Sequence, residues 1–159
     1  MERGDPFRLI DVLTRHEVSF VIIGGHAVTF HGFVRATEDT DIIIRRSPEC
    51  DERLVAALTE LNAQWIGDEI DPTTGIEQTH PVTPNYVRGT RLMMLITDLG
   101  FLDIFDFVPG LPDADVDQVF DSSIANGGRL FVALDWLRSM KRASGRPSDQ
   151  HDLENLPPE

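Results

Sequence analysis

Two aspartates, Asp39 and Asp41, stand one residue apart at the start of a run of isoleucines. In a strand, residues i and i+2 point to the same face, with their Cα atoms about 6.6 Å apart. Carboxylate oxygens placed in this way suit hard divalent cations such as Mg²⁺ and Mn²⁺. They can bridge the ~3.5–4 Å that separates the ions of a two-metal phosphoryl-transfer site. The pattern indicates either such a metal site or an exposed strand start.

A glycine pair, Gly24 and Gly25, ends the apolar run at 19–23 and opens a short helical pattern. Glycine lets the backbone come close to a ligand, and the free N–H groups at a helix start attract phosphate. A short connector then leads to Asp39 and Asp41. A phosphate-binding turn followed by a carboxylate-rich strand is the layout that a nucleotide–magnesium site needs.

Three polar residues beside these motifs are candidates for phosphate binding: His26, Arg35 and Thr37. His26 directly follows the glycines and either hydrogen-bonds a phosphate oxygen or packs locally. Arg35 and Thr37 precede the Asp-x-Asp pair and either contact phosphates or are plain surface residues. The spacing leaves both interpretations open for each residue.

A third carboxylate is available in the apolar segment 101–107, which contains Asp103 and Asp106. These aspartates lie three residues apart, so they face opposite sides of a strand and cannot both reach one site. One of them can therefore join Asp39 and Asp41, and spacing alone leaves the choice open.

The hydrophobic periodicity predicts the elements that position these residues. Helices are predicted at 6–17, 26–30, 48–61, 134–145 and 147–156, and strands at 19–23, 39–44, 91–97, 101–108 and 120–124. Residues 67–86 contain three prolines and are predicted to form an irregular loop, which either closes over the site or is a surface loop without a role. The pattern is that of an α+β domain, a mixed sheet flanked by helices with a short C-terminal helical segment.

The composition limits the class of protein. The chain of 159 residues suits one domain with a buried core, and 41% hydrophobic content excludes a disordered tail and a membrane protein. No apolar run approaches the ~18 residues of a transmembrane helix, no signal-peptide pattern opens the chain, and a single cysteine excludes an internal disulfide. The net charge of −13 restricts nucleic-acid binding to a local basic patch. These features predict a cytoplasmic protein with no membrane partner.

The segments VIIGGHAV at 21–28 and RATEDTDI at 35–42 together resemble the core signature of the polymerase-beta-like nucleotidyltransferase superfamily. The resemblance is closest to its small bacterial branches, which include abortive-infection toxin-type members. It covers about residues 18–45 strongly and 90–156 loosely. As a combination, the motifs are more specific than any one of them.

The C-terminal segment is similar to the same branch. Leu137-x-x-x-Lys141 resembles its lysine-containing helix, and RPSDQHDL at 146–153 resembles its Arg-x-Lys-Asp-x-x-Asp segment, with Ser148 in place of the second lysine. The resemblance makes Lys141 a candidate phosphate contact and Arg146 and Asp149 further site residues. The alternatives are a solvated helix lysine and an aspartate favoured by the helix dipole.

The resemblance also implies the roles of the central residues. Asp39 and Asp41 would hold two Mg²⁺ ions, or Mn²⁺, and Asp103 would complete one site and act as base, because it is flanked as the family's third aspartate is. Gly24 and Gly25 would bind the β- and γ-phosphates. His26, Thr37, Arg35 and Lys141 would assist nucleotide binding.

These implications predict one nucleotidyltransferase-like domain over 1–159, with a catalytic core at about 1–132 and a helical tail at about 133–156. The expected reaction transfers a nucleotidyl group from an NTP to a hydroxyl acceptor and releases pyrophosphate. The acceptor is open among RNA, protein and small molecules. The alternatives are a catalytically silent nucleotide- and metal-binding partner, as in a toxin–antitoxin or defence pair, and a metal-dependent phosphohydrolase.

Overall fold

The computed structural model describes residues 4–158 of the chain. Residues 1–3, on which part of the signal-peptide prediction rests, and residue 159 lie outside this range. Within it, the helices are α1 (Pro6–Arg15), α2 (Gly24–Phe30), α3 (Pro48–Glu60), α4 (Pro84–Gly89), α5 (Val116–Asp121), α6 (Leu134–Ser144) and α7 (Pro147–Asn155). The strands are β1 (Phe20–Ile23), β2 (Asp39–Ile44), β3 (Gln64–Ile70), β4 (Glu77–Pro81), β5 (Leu92–Thr97), β6 (Gly100–Phe105), β7 (Ile124–Asn126) and β8 (Arg129–Phe131).

The strands of residues 4–158 form one mixed sheet in the order β4-β3-β5-β6-β2-β1-β8-β7. The central strand β2 pairs antiparallel with β1 and parallel with β6. Strands β3, β4 and β5 extend the sheet beyond β6 with antiparallel pairings, and β8 runs parallel to β1 at the other side. The parallel β2–β6 pair brings two distant segments of the chain side by side.

Helices cover the two faces of the sheet unequally. Helices α1, α3 and α4 bury residues such as Leu9, Leu54 and Val87 against one face along most of its width. Helices α2, α5 and α6 bury residues such as Val28 and Leu137 against the other face, around β1 and the ends of β2 and β6. The predicted mixed α+β architecture, with its C-terminal helices, is therefore confirmed.

Local signals explain several helix boundaries. The Ser47 hydroxyl accepts a hydrogen bond from the Cys50 N–H at 3.0 Å, and Pro48 opens α3, where its missing N–H costs nothing. Gly145 ends α6 in the left-handed conformation, with φ of +64°. These two boundaries agree with the sequence prediction, as does β2 at Asp39–Ile44. Within residues 4–158, every helix is too short or too polar to cross a membrane.

The prediction that residues 67–86 are irregular is wrong. They contain the end of β3, the strand β4 and the start of α4. Two of the prolines occupy positions that need no backbone donor: Pro81 ends the outermost strand β4, and Pro84 opens α4 under the Thr83 cap. The β3–β4 hairpin and the start of α4 therefore replace the predicted irregular loop.

The predicted strand at 120–124 is also wrong. Phe120 belongs to α5, which the Asp115 carboxylate caps at its start, and the strand β7 begins only at Ile124. The short strand β8 was not predicted, and β6 ends at Phe105, three residues before the predicted bound. Phe120 is buried by packing against the second helical layer, which overrides its β propensity.

Candidate functional site

Three aspartates share one face of the central strands. In the parallel β2–β6 register, Asp41 lies opposite Asp103 and Asp39 lies opposite Phe101. The Asp41 and Asp103 carboxyl groups are hydrogen-bonded to each other, and both residues are half-buried. Asp39, two residues before Asp41 on the same face, is exposed. The pairing therefore gathers the three predicted carboxylates at one place on the sheet.

Asp106, the other candidate for the third carboxylate, lies outside this group. It follows the end of β6 and accepts hydrogen bonds from Arg91 at 2.9 Å and from Arg46 at 3.2 Å. Its carboxylate is therefore neutralised by two guanidinium groups. Of the two candidates in this segment, the structure places Asp103 beside Asp41.

Burial and the closeness of the three carboxylates raise the pKa values of two of them. Burial, together with the charges of Asp103 and Asp39, raises the pKa of Asp41 to about 7, although Lys141 acts in the opposite direction. Burial and the charge of Asp39 also raise the pKa of Asp103. The Asp41 carboxyl group is therefore protonated over much of the range below pH 7 and donates a hydrogen bond to Asp103. A cation at this position would relieve the same repulsion.

The donor chemistry of the three aspartates fits a hard divalent cation. Among residues 4–158, no three His, Cys, Asp or Glu side chains are already arranged around a common metal position. Asp41 and Asp103 are instead arranged around their shared proton, with the exposed Asp39 beside them. Loss of the proton between Asp41 and Asp103 would free their carboxylate oxygens, which are the kind of ligand that Mg²⁺ and Mn²⁺ prefer.

Gly24 is required by the position of the Asp41 carboxylate. Gly24 has φ of +66°, and a Cβ atom added there would collide with Asp41 Oδ2 and lie 3.1 Å from Asp41 Cγ. A residue with a side chain would therefore be strained and would push the carboxylate away. The sharp turn from β1 into α2 thus brings the backbone directly against the aspartate.

Gly25 serves the connector before β2 instead. It is buried, and an added Cβ would lie 2.8 Å from Thr37 Cβ and 3.3 Å from Arg35 Nη1. Thr37 and Arg35, both predicted phosphate contacts, therefore pack against the start of α2. The glycine pair holds this connector beside the carboxylates.

A cluster of ionic residues from α6, α7 and the connector lies next to the aspartates. Lys141 Nζ contacts Asp149 at 3.2 Å and Asp152 at 3.0 Å, and Asp152 also accepts two hydrogen bonds from Arg35, at 2.7 and 2.8 Å. Arg146 donates to Asp149 at 2.9 Å. Lys141 is thus buried, which excludes the alternative of a solvated helix lysine.

The balance of this cluster is positive. Burial opposes ionisation of Asp149, but hydrogen bonds from Arg146, Ser144 and Lys141 lower its pKa to about 2. In the same way, hydrogen bonds from Arg35 and Lys141 outweigh burial and lower the pKa of Asp152. Two ionised carboxylates therefore face three cations, and one positive charge is left in excess.

A cavity of about 280 Å³ lies between the carboxylates and this cluster. Asp41 and Gly24 line one side, and Lys141, Arg146 and Asp149 line another. The rest of the wall is apolar and consists mainly of Phe105, Pro109, Leu137 and Met140. The cavity therefore offers a negative side that suits a cation, a positive side that suits phosphate, and an apolar wall that suits a planar ring.

His26 lies at a different cavity from the one that Asp41 and Lys141 line. It lines a neighbouring cavity of about 240 Å³ with Phe7, Phe30 and Arg129, and its ring lies 6.5 Å from that of Phe7. Burial, with a smaller contribution from Arg35, lowers its pKa. Its buried Nε2 has no hydrogen-bond partner within the described residues. His26 is therefore a neutral side chain next to the site.

Sequence reasoning did not select Asp152 as a site residue. Its side chain is 1% exposed and connects Lys141 to Arg35 across two segments of the chain. A usable signal was present, because Asp149 and Asp152 are three residues apart and share one face of α7. Two carboxylates on the buried face of a short helix require cations opposite them.

No family model and no curated protein matches this chain. Among solved structures, the crystal structure of a candidate nucleotidyltransferase from H. pylori aligns with a TM-score of 0.42 at 15% identity. That of JHP933 from Helicobacter pylori aligns with a TM-score of 0.41 at 14% identity. These alignments cover 86% and 85% of this chain, which spans a little over half of those chains, 56% and 53% respectively. A likeness at this level identifies neither a family nor a reaction.

Proposed function

We propose that this chain is a metal-dependent nucleotidyltransferase that moves a nucleotidyl group from an NTP to a hydroxyl acceptor and releases pyrophosphate. The observation that carries the proposal is the Asp41–Asp103 pair on parallel strands, with Asp39 beside it and the Gly24 backbone against it. The carboxylates lie next to a cavity whose other side is positive. This combination suits a triphosphate with its divalent cations.

Asp39, Asp41 and Asp103 would hold the divalent ions. When bound, such ions supply charge neutralisation and polarisation of the phosphate that is attacked. The two central strands fix the backbone of the three aspartates, so binding of the ions would need loss of the Asp41 proton and rotation of the side chains only. Electrostatic stabilisation by such charges is the main source of catalysis in phosphoryl-type transfers.

Asp103 is the residue best placed to accept the proton of the attacking hydroxyl. Burial and the charge of Asp39 raise the pKa of its carboxyl group. It also lies on the side of the carboxylate group that faces β5, away from the cavity wall formed by α6. The nucleotide and the acceptor would therefore approach from opposite sides of the aspartates.

Lys141 and Arg146 would bind the phosphates of the NTP. Both line the cavity, and both are held in place by Asp149, which is ionised well below neutral pH. Gly24 exposes backbone at the same cavity, and Phe105 and Met140 provide an apolar wall for the base or ribose. Arg35 acts one step away, because it orients Asp152, which in turn holds Lys141.

The experiment is incubation of the protein with each α-labelled NTP in turn, Mg²⁺ or Mn²⁺, and cell extract. We expect one or more NTPs to yield labelled acceptor and an equal amount of pyrophosphate. Asp103→Asn should abolish both products, because it removes a metal ligand and the base. The exposed Asp113→Asn is the matched control and should retain activity. Metal and NTP binding without either product would instead identify a catalytically silent protein.

A further inference from the structure

Within residues 4–158, the face of the sheet that carries the aspartates continues past them without a covering helix. On β5, Leu92 and Met94 are 40% and 57% exposed, and on β3 Ile66 is 39% exposed. Phe101, on β6, is 36% exposed. These four apolar residues, which we call the open face, are uncovered because α2, α5 and α6 pack only around β1 and the ends of β2 and β6.

The open face adjoins the proposed catalytic group directly. In the antiparallel β5–β6 register, Met94 lies opposite Asp103, and Leu92 lies opposite Phe105. Directly opposed residues project on the same side of a sheet, so Met94 is the neighbour of the Asp103 carboxyl group. An occupant of the open face would therefore meet Asp103 from the side opposite the cavity.

Acidic residues bound the open face at its far side as well. The β3–β4 hairpin carries three exposed carboxylates, at Asp68, Glu69 and Glu77, and a half-buried one at Asp71, and residues 64–81 contain no lysine or arginine. The same hairpin exposes Ile70 and Ile76. The open face is thus an apolar strip between two groups of carboxylates, the hairpin on one side and the three site aspartates on the other.

We propose that the open face binds the acceptor, and that the acceptor is a protein segment with apolar side chains flanked by lysine or arginine. Charge complementarity selects this partner, because a cationic flank would meet each acidic group while its apolar residues cover Met94, Leu92 and Ile66. A polyanion such as RNA would meet carboxylates on both sides, in a chain whose net charge is −13. The proposal rests on the proposed nucleotidyl transfer.

The reacting group of such a segment is a Ser, Thr or Tyr hydroxyl. Its oxygen would form a new bond to the α-phosphorus of the NTP, while the bond from that phosphorus to the bridging oxygen of the β-phosphate breaks. Pyrophosphate leaves with the electron pair of that bond, and Asp103 takes the hydroxyl proton. The product is a protein that carries a nucleoside monophosphate in phosphodiester linkage.

The first test is binding, which does not depend on chemistry. The probe is a fluorescent synthetic peptide of alternating leucine and lysine residues around a central serine, compared with its glutamate counterpart and with a single-stranded RNA of similar length. We expect the lysine peptide to bind, and Leu92→Ala with Met94→Ala to weaken it by about tenfold or more. Ile124→Ala, which truncates a residue of similar exposure on the outer strand β7, should leave the affinity unchanged.

Three outcomes of this binding test would overturn the proposal. They are tighter binding of the RNA, equal binding of the glutamate peptide, and full affinity in the double variant. A dimer that forms with rising protein concentration and dissociates in the double variant would identify a second copy of the chain as the occupant.

The second test is transfer. Extract labelled by the wild-type protein is digested with protease or with ribonuclease, and we expect only protease to remove the labelled macromolecule. The double variant should label about tenfold less, yet its melting temperature should rise with NTP and Mg²⁺ as in the wild type. Label in RNA would overturn the acceptor assignment. Absence of label and of pyrophosphate from the wild-type protein would count against the proposed function, whereas the peptide titration would still decide what the open face binds.

Discussion

At the scale of single residues, the central feature is that the fold places carboxylates together without matching cations. Asp106 shows the ordinary solution, since Arg46 and Arg91 both pair with it. Among residues 4–158, Asp41 and Asp103 form no comparable ion pair, and their carboxyl groups are hydrogen-bonded to each other, while Lys141 acts on Asp41 only through its charge. Burying one negative charge with a shared proton costs less than burying two. Crowded, partly buried carboxylates of this kind are typical of functional sites, which is the basis of the proposed metal site.

The raised pKa of Asp41 predicts how stability depends on pH. The ordinary pKa of an aspartate is about 4, and that of Asp41 in the folded protein is about 7. Between these two pH values the folded protein binds more protons than the unfolded chain, so the free energy of unfolding falls as pH rises. Above pH 7, the raised pKa of Asp41 lowers the free energy of unfolding by on the order of 4 kcal/mol. In metal-free buffer, Asp41→Asn should therefore be more stable than the wild type at pH 7.5, and the gap should shrink towards pH 4.5.

Urea unfolding of the two proteins across this pH range measures the difference. The pKa values of Asp149 and Asp152 are lowered, so these two groups change stability only at pH values below the range from about pH 4 to about pH 7. Their contribution is the same in the wild type and in Asp41→Asn. A wild-type protein that gains stability relative to Asp41→Asn as the pH rises would show that the sign is wrong.

At the scale of elements, the junction of β1 and α2 decides how closely backbone approaches Asp41. We expect Gly24→Ala to cost more than the strain of a left-handed alanine, about 1 kcal/mol, because the new Cβ also displaces the carboxylate. Gly127→Ala is the matched control, since Gly127 has φ of +59° and open space around it. In thermal unfolding, the melting temperature should fall further for Gly24→Ala than for Gly127→Ala. Only Gly24→Ala should lose the rise in melting temperature that Mg²⁺ causes. Equal losses in the two variants would mean that the contact with Asp41 is unimportant.

The elements differ in how far sequence could predict them. Strand β2 was predictable with both bounds because its isoleucines are buried on both faces and its aspartates mark the start. Strands β3 and β4 were not predictable, because they are the last two strands at one end of the sheet and expose residues such as Asp68 and Thr79, which leaves no clear alternation. The pairing of Asp41 with Asp103 depends on a parallel register between distant strands, which no local pattern encodes.

At the scale of the whole molecule, positive and negative charges are segregated into different regions. The net charge of −13 coexists with a cluster in which Arg35, Lys141 and Arg146 outnumber the buried Asp149 and Asp152. A local excess of positive charge thus lies beside the cavity, while the β3–β4 hairpin remains acidic. Such a molecule repels polyanions in general and still offers a local site for a phosphate group.

The net charge also determines how metal binding must be measured. Any salt screens the self-repulsion of an acidic protein, so MgCl₂ would raise the melting temperature even without a specific site. We therefore expect MgCl₂ to stabilise the wild-type protein more than NaCl of equal ionic strength, by roughly 5–10 °C at about 100 times the Kd. Asp39→Asn with Asp41→Asn should retain the screening effect and lose the excess. An excess of wild-type size in that double variant would mean that the ion binds elsewhere, and the proposed metal site would be wrong.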